Sequence, residues 1–330
     1  MISFADTIEQ GFAQVLFKLP NQKAEVWLDD DPGLLKIEGE QFVIQPFENS
    51  LPCLSIRKQK QWNPRSASSE SSESSVIAQD AEANYLSTIT TVVKAIKAGD
   101  LQKCVISRVK EVPKPTDFSA ENLFNGLAAT YPDAFCYVLY HPRAGLWAGA
   151  SPEVLLQSHR SSCTTMALAA TRRYSSTIQW NDKEEDEHEM VVGYIMKALR
   201  DSSCTNITKE RRQTSRAGAL AHLRTPFTFE SPDPWLTALK LHPTPATCGL
   251  PKLPALELIN ELEPHDRELY CGFVGPRWNK NSMDLFVNLR CMKITDRCQL
   301  YVGGGITAAS DPLSEWEETE MKSQTMLRVL

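Results

Sequence analysis

At 330 residues, with 42% hydrophobic and 23% charged side chains, the chain has the make-up of a globular protein with room for one large domain or two ordinary ones. A net charge of −6, with no Lys/Arg-rich block, argues against nucleic acid as a partner, and no apolar run approaches the ~20 residues that span a bilayer, so no membrane is expected. The opening MISFADTIEQGF lacks the basic start and apolar stretch of a signal peptide, and nine cysteines without a CxxC read as small core residues of a reducing compartment, so the expected location is cytoplasmic.

Residues 1–62 hold short alternating runs at 24–28 and 41–44, with a turn signal at Asp31-Pro32-Gly33. They read as a strand-rich segment too small to stand alone, packed on the main body. The serine-rich tract 66–75 cannot bury apolar area, so 63–78 is taken as a linker. The main domain, 79–330, opens with a helix in which Tyr85, Ile89, Val92 and Ile96 recur at helical spacing and Gly99 ends it. A strand at 103–110 follows, then a helix at 120–130 and strands at 134–141, 145–148, 154–159 and 164–171. An acidic helix spans about 183–200. A strand near 268–276 precedes β-prone stretches at 283–295 and 299–306. The last helix starts at Asp311-Pro312, a capping residue with proline in the first turn. Strands and helices come in groups rather than strict alternation, which predicts an α+β fold.

Two Glu-x-x-Glu pairs stand out, Glu184/Glu187 on the first acidic helix and Glu315/Glu318 on the last. Residues three apart share a helix face. The stripe Glu184, Glu187, Val191, Ile195 and the stripe Glu315, Glu318, Lys322, Met326 each run from acids into apolar residues or beside them. A solvated face would place acids opposite the apolar stripe, so these pairs point either to ordinary acidic surface or to a shared hard cation, for which magnesium fits best. His188 and Lys322 flank them. Lys103 shares a strand face with Val105, Ser107 and Val109; it either snorkels to water or is a buried general base. Glu153, in the turn Gly149–Pro152 leads into, is a solvated loop acid or a general acid. Gly303-Gly304-Gly305 ends a strand and lets backbone amides approach an anion, but it matches neither nucleotide fingerprint. Arg290, alternating with Leu289 and Cys291 in a strand, and Lys322 are candidates to pair with a substrate carboxylate, Arg290 being a surface arginine otherwise. His222 is a substrate donor or a satisfied core histidine.

From about residue 83 to 330, the segments QKCVISR, GASPEVLL, ALAATRR, EDEHEMVV, AHLRTPF, LHPTPATCGLPK, RELYCGFVG, VNLR, YVGGGI and EWEETEMKSQTML resemble, in this order, the chorismate-utilising enzymes. That family includes isochorismate synthase, salicylate synthase, anthranilate synthase component I and aminodeoxychorismate synthase. The resemblance implies the anthranilate synthase component I-like fold, with a large two-sheet β core and helices outside, a magnesium ion, and chorismate as the small-molecule partner. It implies Glu187 and Glu318 as nearest metal ligands and Glu184 and Glu315 as holders of the metal's waters. Arg290, Tyr270 and the amides near Gly303 and Gly304 would hold the enolpyruvyl carboxylate, Lys322 would sit beside the metal-bound carboxylate, His222 would contact the ring region, and Thr171 and Ala246 would also bind substrate. Anthranilate-forming members carry glutamine where this chain has Lys103, and aminodeoxychorismate synthase has its lysine where this chain has Ala169. The resemblance therefore implies water as nucleophile, Lys103 as base, Glu153 as acid, and isochorismate as product, with menaquinone as default destination. Its alternatives are salicylate synthase, disfavoured by Ala246 and favoured by Tyr270, and a non-catalytic chorismate-binding protein. Isochorismate synthases of this kind are often monomeric, so a monomer is the expectation.

Overall fold

The structure, a computed structural model, describes residues 3–36, 38–59, 81–99, 101–218 and 220–330; the expected serine-rich linker lies outside the described residues. The chain begins with α1 (Phe4–Glu9), β1 (Ala13–Lys18), β2 (Ala24–Asp29), β3 (Gly33–Leu34), β4 (Gln41–Gln45) and β5 (Leu54–Arg57). Then come α2 (Ala81–Ala98), β6 (Lys103–Pro113), α3 (Ala120–Thr130), β7 (Phe135–His141), β8 (Gly145–Ser151), β9 (Val154–His159) and β10 (Ser162–Arg173). The next elements are α4 (Asp182–Asp201), β11 (Thr205–Lys209), β12 (Gln213–Ala217), β13 (Leu220–Glu230), α5 (Pro234–Leu241), β14 (Gly249–Leu250) and α6 (Lys252–Leu262). The chain closes with β15 (Phe273–Asn279), β16 (Ser282–Val287), β17 (Cys291–Ile294), β18 (Arg297–Ile306) and α7 (Pro312–Leu327).

The strands form two antiparallel sheets. One runs β14-β6-β18-β17-β8-β7-β1-β2; the other runs β11-β13-β10-β9-β16-β15-β4-β5-β3, with β12 paired to β13. Strands from the first 57 residues thus extend both sheets. The sheets face each other across an aromatic core: Phe135 of β7 stacks on Phe286 of β16 at 4.3 Å between ring centroids, and Phe17 of β1 meets Phe42 of β4 at 5.3 Å. Such ring pairs add roughly 0.5–1.5 kcal/mol each beyond the area they bury. The fold is α+β, as the grouping of elements predicts.

Helix α4 packs on β10 and α7 on β18, one outside each sheet. Both begin at well-formed caps. Asn181 caps α4 by accepting from the Glu184 amide, and the Glu184 carboxylate in turn accepts from the Asn181 amide. Asp311 accepts from the Ser314 amide with Pro312 in the first turn. The stretch expected as one strand over 283–295 is broken: β16 ends at Val287 and β17 starts at Cys291, and Arg290 between them has φ of 50°. Arg290 is therefore on a left-handed kink, not in a strand. The strand expected near 268–276 likewise starts only at Phe273, after a turn. All nine cysteines are free and all but Cys53 are buried. Among the described residues no helix is long and apolar enough to cross a membrane.

Candidate active site

Lys103 opens β6 with its side chain turned inward, 1% exposed, and its Nζ lies 2.9 Å from Glu187 Oε1 of α4. Snorkelling is thereby excluded. An unpaired ammonium at this depth would cost several kcal/mol, and Glu187 supplies the compensating charge. Glu153, in the two-residue link between β8 and β9, is 3% exposed and belongs to no solvated loop. Ser151 and the Val287 main chain fasten that link: Ser151 Oγ donates to the Val287 carbonyl at 2.5 Å, and the Val287 amide donates to the Glu153 carbonyl at 3.0 Å. Burial pushes the Glu153 carboxyl up to about 8, against the pull of Lys103, Arg290 and Lys322. Its acid form thus prevails at neutral pH.

His222 on β13 donates from Nδ1 to the Ala170 carbonyl at 2.8 Å, which leaves Nε2 to accept from Arg290 Nη2 at 3.4 Å. Burial first, and Arg290 second, lower its pKa to about 3, so the ring is neutral. Arg290 also donates to Thr325 Oγ1 at 3.4 Å. Among the described residues no carboxylate pairs with this guanidinium, although burial opposes its charge and lowers its pKa. A cationic fork held by two neutral acceptors is a ready receiver for a carboxylate.

The triple glycine stands at the end of its strand, one residue before Ile306, as expected. Gly303, Gly304 and Gly305 lie within β18, opposite Ser107, Ile106 and Val105 of β6. Their missing side chains make room for others. A Cβ on Gly303 would lie 2.9 Å from Tyr270 Oη; one on Gly304 would lie 2.7 Å from Glu315 Oε2; one on Gly305 would overlap Glu187 Oε1 and lie 2.8 Å from Lys103 Cε. The pattern G-G-G is thus spatially required by the acids and the lysine it faces. Lys322 Nζ donates to the Gly303 carbonyl at 2.7 Å and touches Glu318 Oε1 at 2.6 Å.

These side chains enclose a narrow cavity of about 70 Å³ between the sheets. Of the residues singled out from sequence, Lys103, Glu153, Thr171, Glu187, His222, Ala246, Tyr270, Arg290, Gly303, Gly304, Glu318 and Lys322 all line it. Glu184 and Glu315 do not. Glu184 is committed to the α4 cap and to Arg172 Nε at 2.5 Å. Glu315, 2% exposed, receives Lys183 Nζ at 2.7 Å and the Ser310 hydroxyl at 2.6 Å on one oxygen. Burial and then Glu318 raise the Glu315 carboxyl above its usual range. His188, a flanking candidate, is instead a core histidine whose Nε2 meets Thr225 Oγ1 at 2.8 Å; burial lowers its pKa to about 4.

Among the described residues no three His, Cys, Asp or Glu side chains already stand in a metal-binding arrangement. The donor chemistry nevertheless suits a hard divalent ion. Glu187 and Glu318, from two helices, line one cavity, and burial of the Lys183 ammonium is outweighed by Glu315, Glu187 and Glu318, which hold its pKa above the ordinary value. Each has its own lysine: Lys103 on Glu187, Lys183 on Glu315, Lys322 on Glu318. Lys183 and Arg172 escaped sequence reasoning. The signal for Lys183 was a cation placed directly before the first acidic pair; Arg172, in a strand that reads as apolar, gave none.

The chorismate binding enzyme family matches residues 5–328. The chain belongs to this family. Two relatives are the isochorismate synthase EntC of Escherichia coli (strain K12), 33% identical over 69% of this chain, and DhbC of Bacillus subtilis (strain 168), 30% identical over 75% of it. The matched region spans 62% of EntC and 67% of DhbC. Among solved structures, MenF, the menaquinone-specific isochorismate synthase of Escherichia coli, superposes with a TM-score of 0.81 at 20% identity, covering 98% of this chain and 89% of MenF. Anthranilate synthase component I of Streptococcus pneumoniae TIGR4 gives 0.68 at 19% identity, covering 96% and 92%. Chorismate-binding enzymes thus share this two-sheet fold with the present chain.

Proposed function

We propose that this chain converts chorismate into isochorismate, with magnesium held by its carboxylates. The observation that carries the reading is the meeting, in one cavity, of a buried lysine, a buried carboxyl kept protonated, and a guanidinium with no carboxylate partner among the described residues. Arg290, fixed by His222 and Thr325, would take the enolpyruvyl carboxylate, with Tyr270 and Gly304 beside it. Lys103 would first leave Glu187 and give its ammonium proton to solvent; the neutral amine would then draw a proton from water as that water's oxygen bonds to C2 of the ring. The electron pairs move through the two ring double bonds and expel the C4 hydroxyl, which takes its proton from Glu153. One water enters and one leaves, so the change is an isomerisation. A base and an acid with opposed environments suit this division of labour. The cation, taken by Glu187 and Glu318 with Glu184 and Glu315 behind them, would neutralise the ring carboxylate.

Tyr270 supports a second reading, salicylate synthase, in which isochorismate goes on to lose pyruvate; Ala246 supports the first. Pure protein incubated with chorismate and magnesium separates them. Isochorismate without pyruvate is the expected outcome, and stoichiometric pyruvate with salicylate fluorescence would overturn it. The proposed destination is menaquinone; assay of which isochorismate-consuming reaction the product feeds tests it.

A further inference from the structure

The carboxylate cluster carries three lysines, and they are not equivalent. Lys103 and Lys322 line the cavity, where the proposed reaction uses them. Lys183 does not line it. Its side chain is 30% exposed, it sits in the first turn of α4, and its ammonium crosses to Glu315, in the first turn of α7, whose side chain is only 3% exposed. Lys183 and the Ser310 hydroxyl take the same Glu315 oxygen, Oε1, while Oε2 is directed at the face of Gly304. The ammonium also feels Glu187 and Glu318. It therefore stands where the negative potential of three acids is summed, on a flexible stem with a short way to water.

We infer that Lys183 is a built-in, displaceable counterion: it neutralises Glu315 and ties α4 to α7 while the carboxylate cluster holds no divalent cation, and it swings into solvent when one binds. This rests on the cation reading above. Two cations drawn to the same group of carboxylates repel, and in this partly buried setting the repulsion is little screened. Lysine is suited to yielding; its point charge on four methylenes gives up one contact without breaking a bidentate geometry. Lys183 is a positioning and competing residue, with no contact to the proposed reacting atoms.

Two measurements on the full chain test this. The first is titration of wild type, Lys183→Met and Lys183→Gln with magnesium chloride by calorimetry. Removing the competing charge is expected to tighten magnesium binding on the order of tenfold in both variants, and to lower the melting temperature of the magnesium-free protein more than that of the magnesium-saturated one. Unchanged affinity would reduce Lys183 to an ordinary helix-to-helix ion pair, and weaker affinity would make it a support for Glu315; either overturns the inference. The second uses wild type alone, so that it does not depend on a variant folding. Amine labelling read by mass spectrometry should show Lys183 modified several-fold faster with magnesium than without. A rate that falls or stays constant overturns the inference. A wild type that binds no magnesium would remove the cation reading itself, a failure distinct from binding without competition.

Discussion

Glu153 offers the sharpest prediction, because its proposed role depends on its being a neutral acid. Its carboxyl stands at about 8 against an ordinary 4.5, with burial as the cause. A difference of 8 − 4.5 = 3.5 pH units corresponds to roughly 5 kcal/mol against the carboxylate form. At pH 7 the acid then outnumbers its conjugate base by about ten to one. The expected kcat/KM profile therefore has an alkaline limb that falls about tenfold per pH unit above about 8, set by loss of the donor proton. A bound dianionic substrate disfavours the carboxylate further, so the limb in kcat should lie at or above the one in kcat/KM. Glu153→Gln keeps the shape and removes the proton. It should lower kcat by roughly 10²–10⁴-fold and abolish the alkaline limb. The assay is initial rate of isochorismate formation from pH 6 to about 10 for both proteins, with melting temperatures checked at each pH. The folded protein also holds a proton here that the unfolded chain loses near 4.5. This group's stabilisation is therefore full below that pH and is lost as pH rises toward about 8. A wild-type rate that climbs through pH 8, or a glutamine variant that keeps the limb, would refute the assignment.

Lys103→Ala should reduce kcat by roughly 10²–10⁴-fold, measured in the same assay, and should leave Glu187 buried without its ion-pair partner. Arg290→Gln removes the guanidinium that faces the cavity with no carboxylate partner among the described residues; KM for chorismate should rise by on the order of 10- to 100-fold, matching the roughly 1.5–3 kcal/mol of a charged hydrogen bond, with a smaller change in kcat. Gly305→Ala places a methyl group against Glu187 and Lys103; a loss of roughly 1–3 kcal/mol in chemical denaturation is expected, together with lost activity.

Much of the fold was legible because helical and strand periods in this chain are undisturbed where packing is ordinary. Tyr85, Ile89, Val92 and Ile96 are all buried on α2, and Asp311-Pro312 caps α7 as the residue types dictate. The acid stripes also carried through: Glu187 and Glu315 are buried, contrary to what a solvated face would show. What failed did so where a local need overrides pattern. Arg290 reads as a strand residue because its neighbours alternate, yet the kink that turns it toward His222 gives it positive φ, a state no periodicity encodes. The triple glycine reads as the end of a strand, and it lies in the ladder up to Ile306; what the pattern does not show is the space it leaves for side chains distant in sequence. The lysines that neutralise the acids could not be matched to them beforehand, since Lys103 and Glu187, or Lys183 and Glu315, meet only through tertiary folding.

The central claim is that solvent water, deprotonated at Lys103, becomes the C2 hydroxyl of the product. Turnover of unlabelled chorismate in oxygen-18 water with magnesium, followed by mass spectrometry of the isochorismate, tests it directly. The expected product carries one oxygen-18 atom, at C2, and forms roughly 10²–10⁴-fold more slowly with Lys103→Ala. Isochorismate that retains the original C4 oxygen, or labelled product formed at the wild-type rate without Lys103, would contradict it.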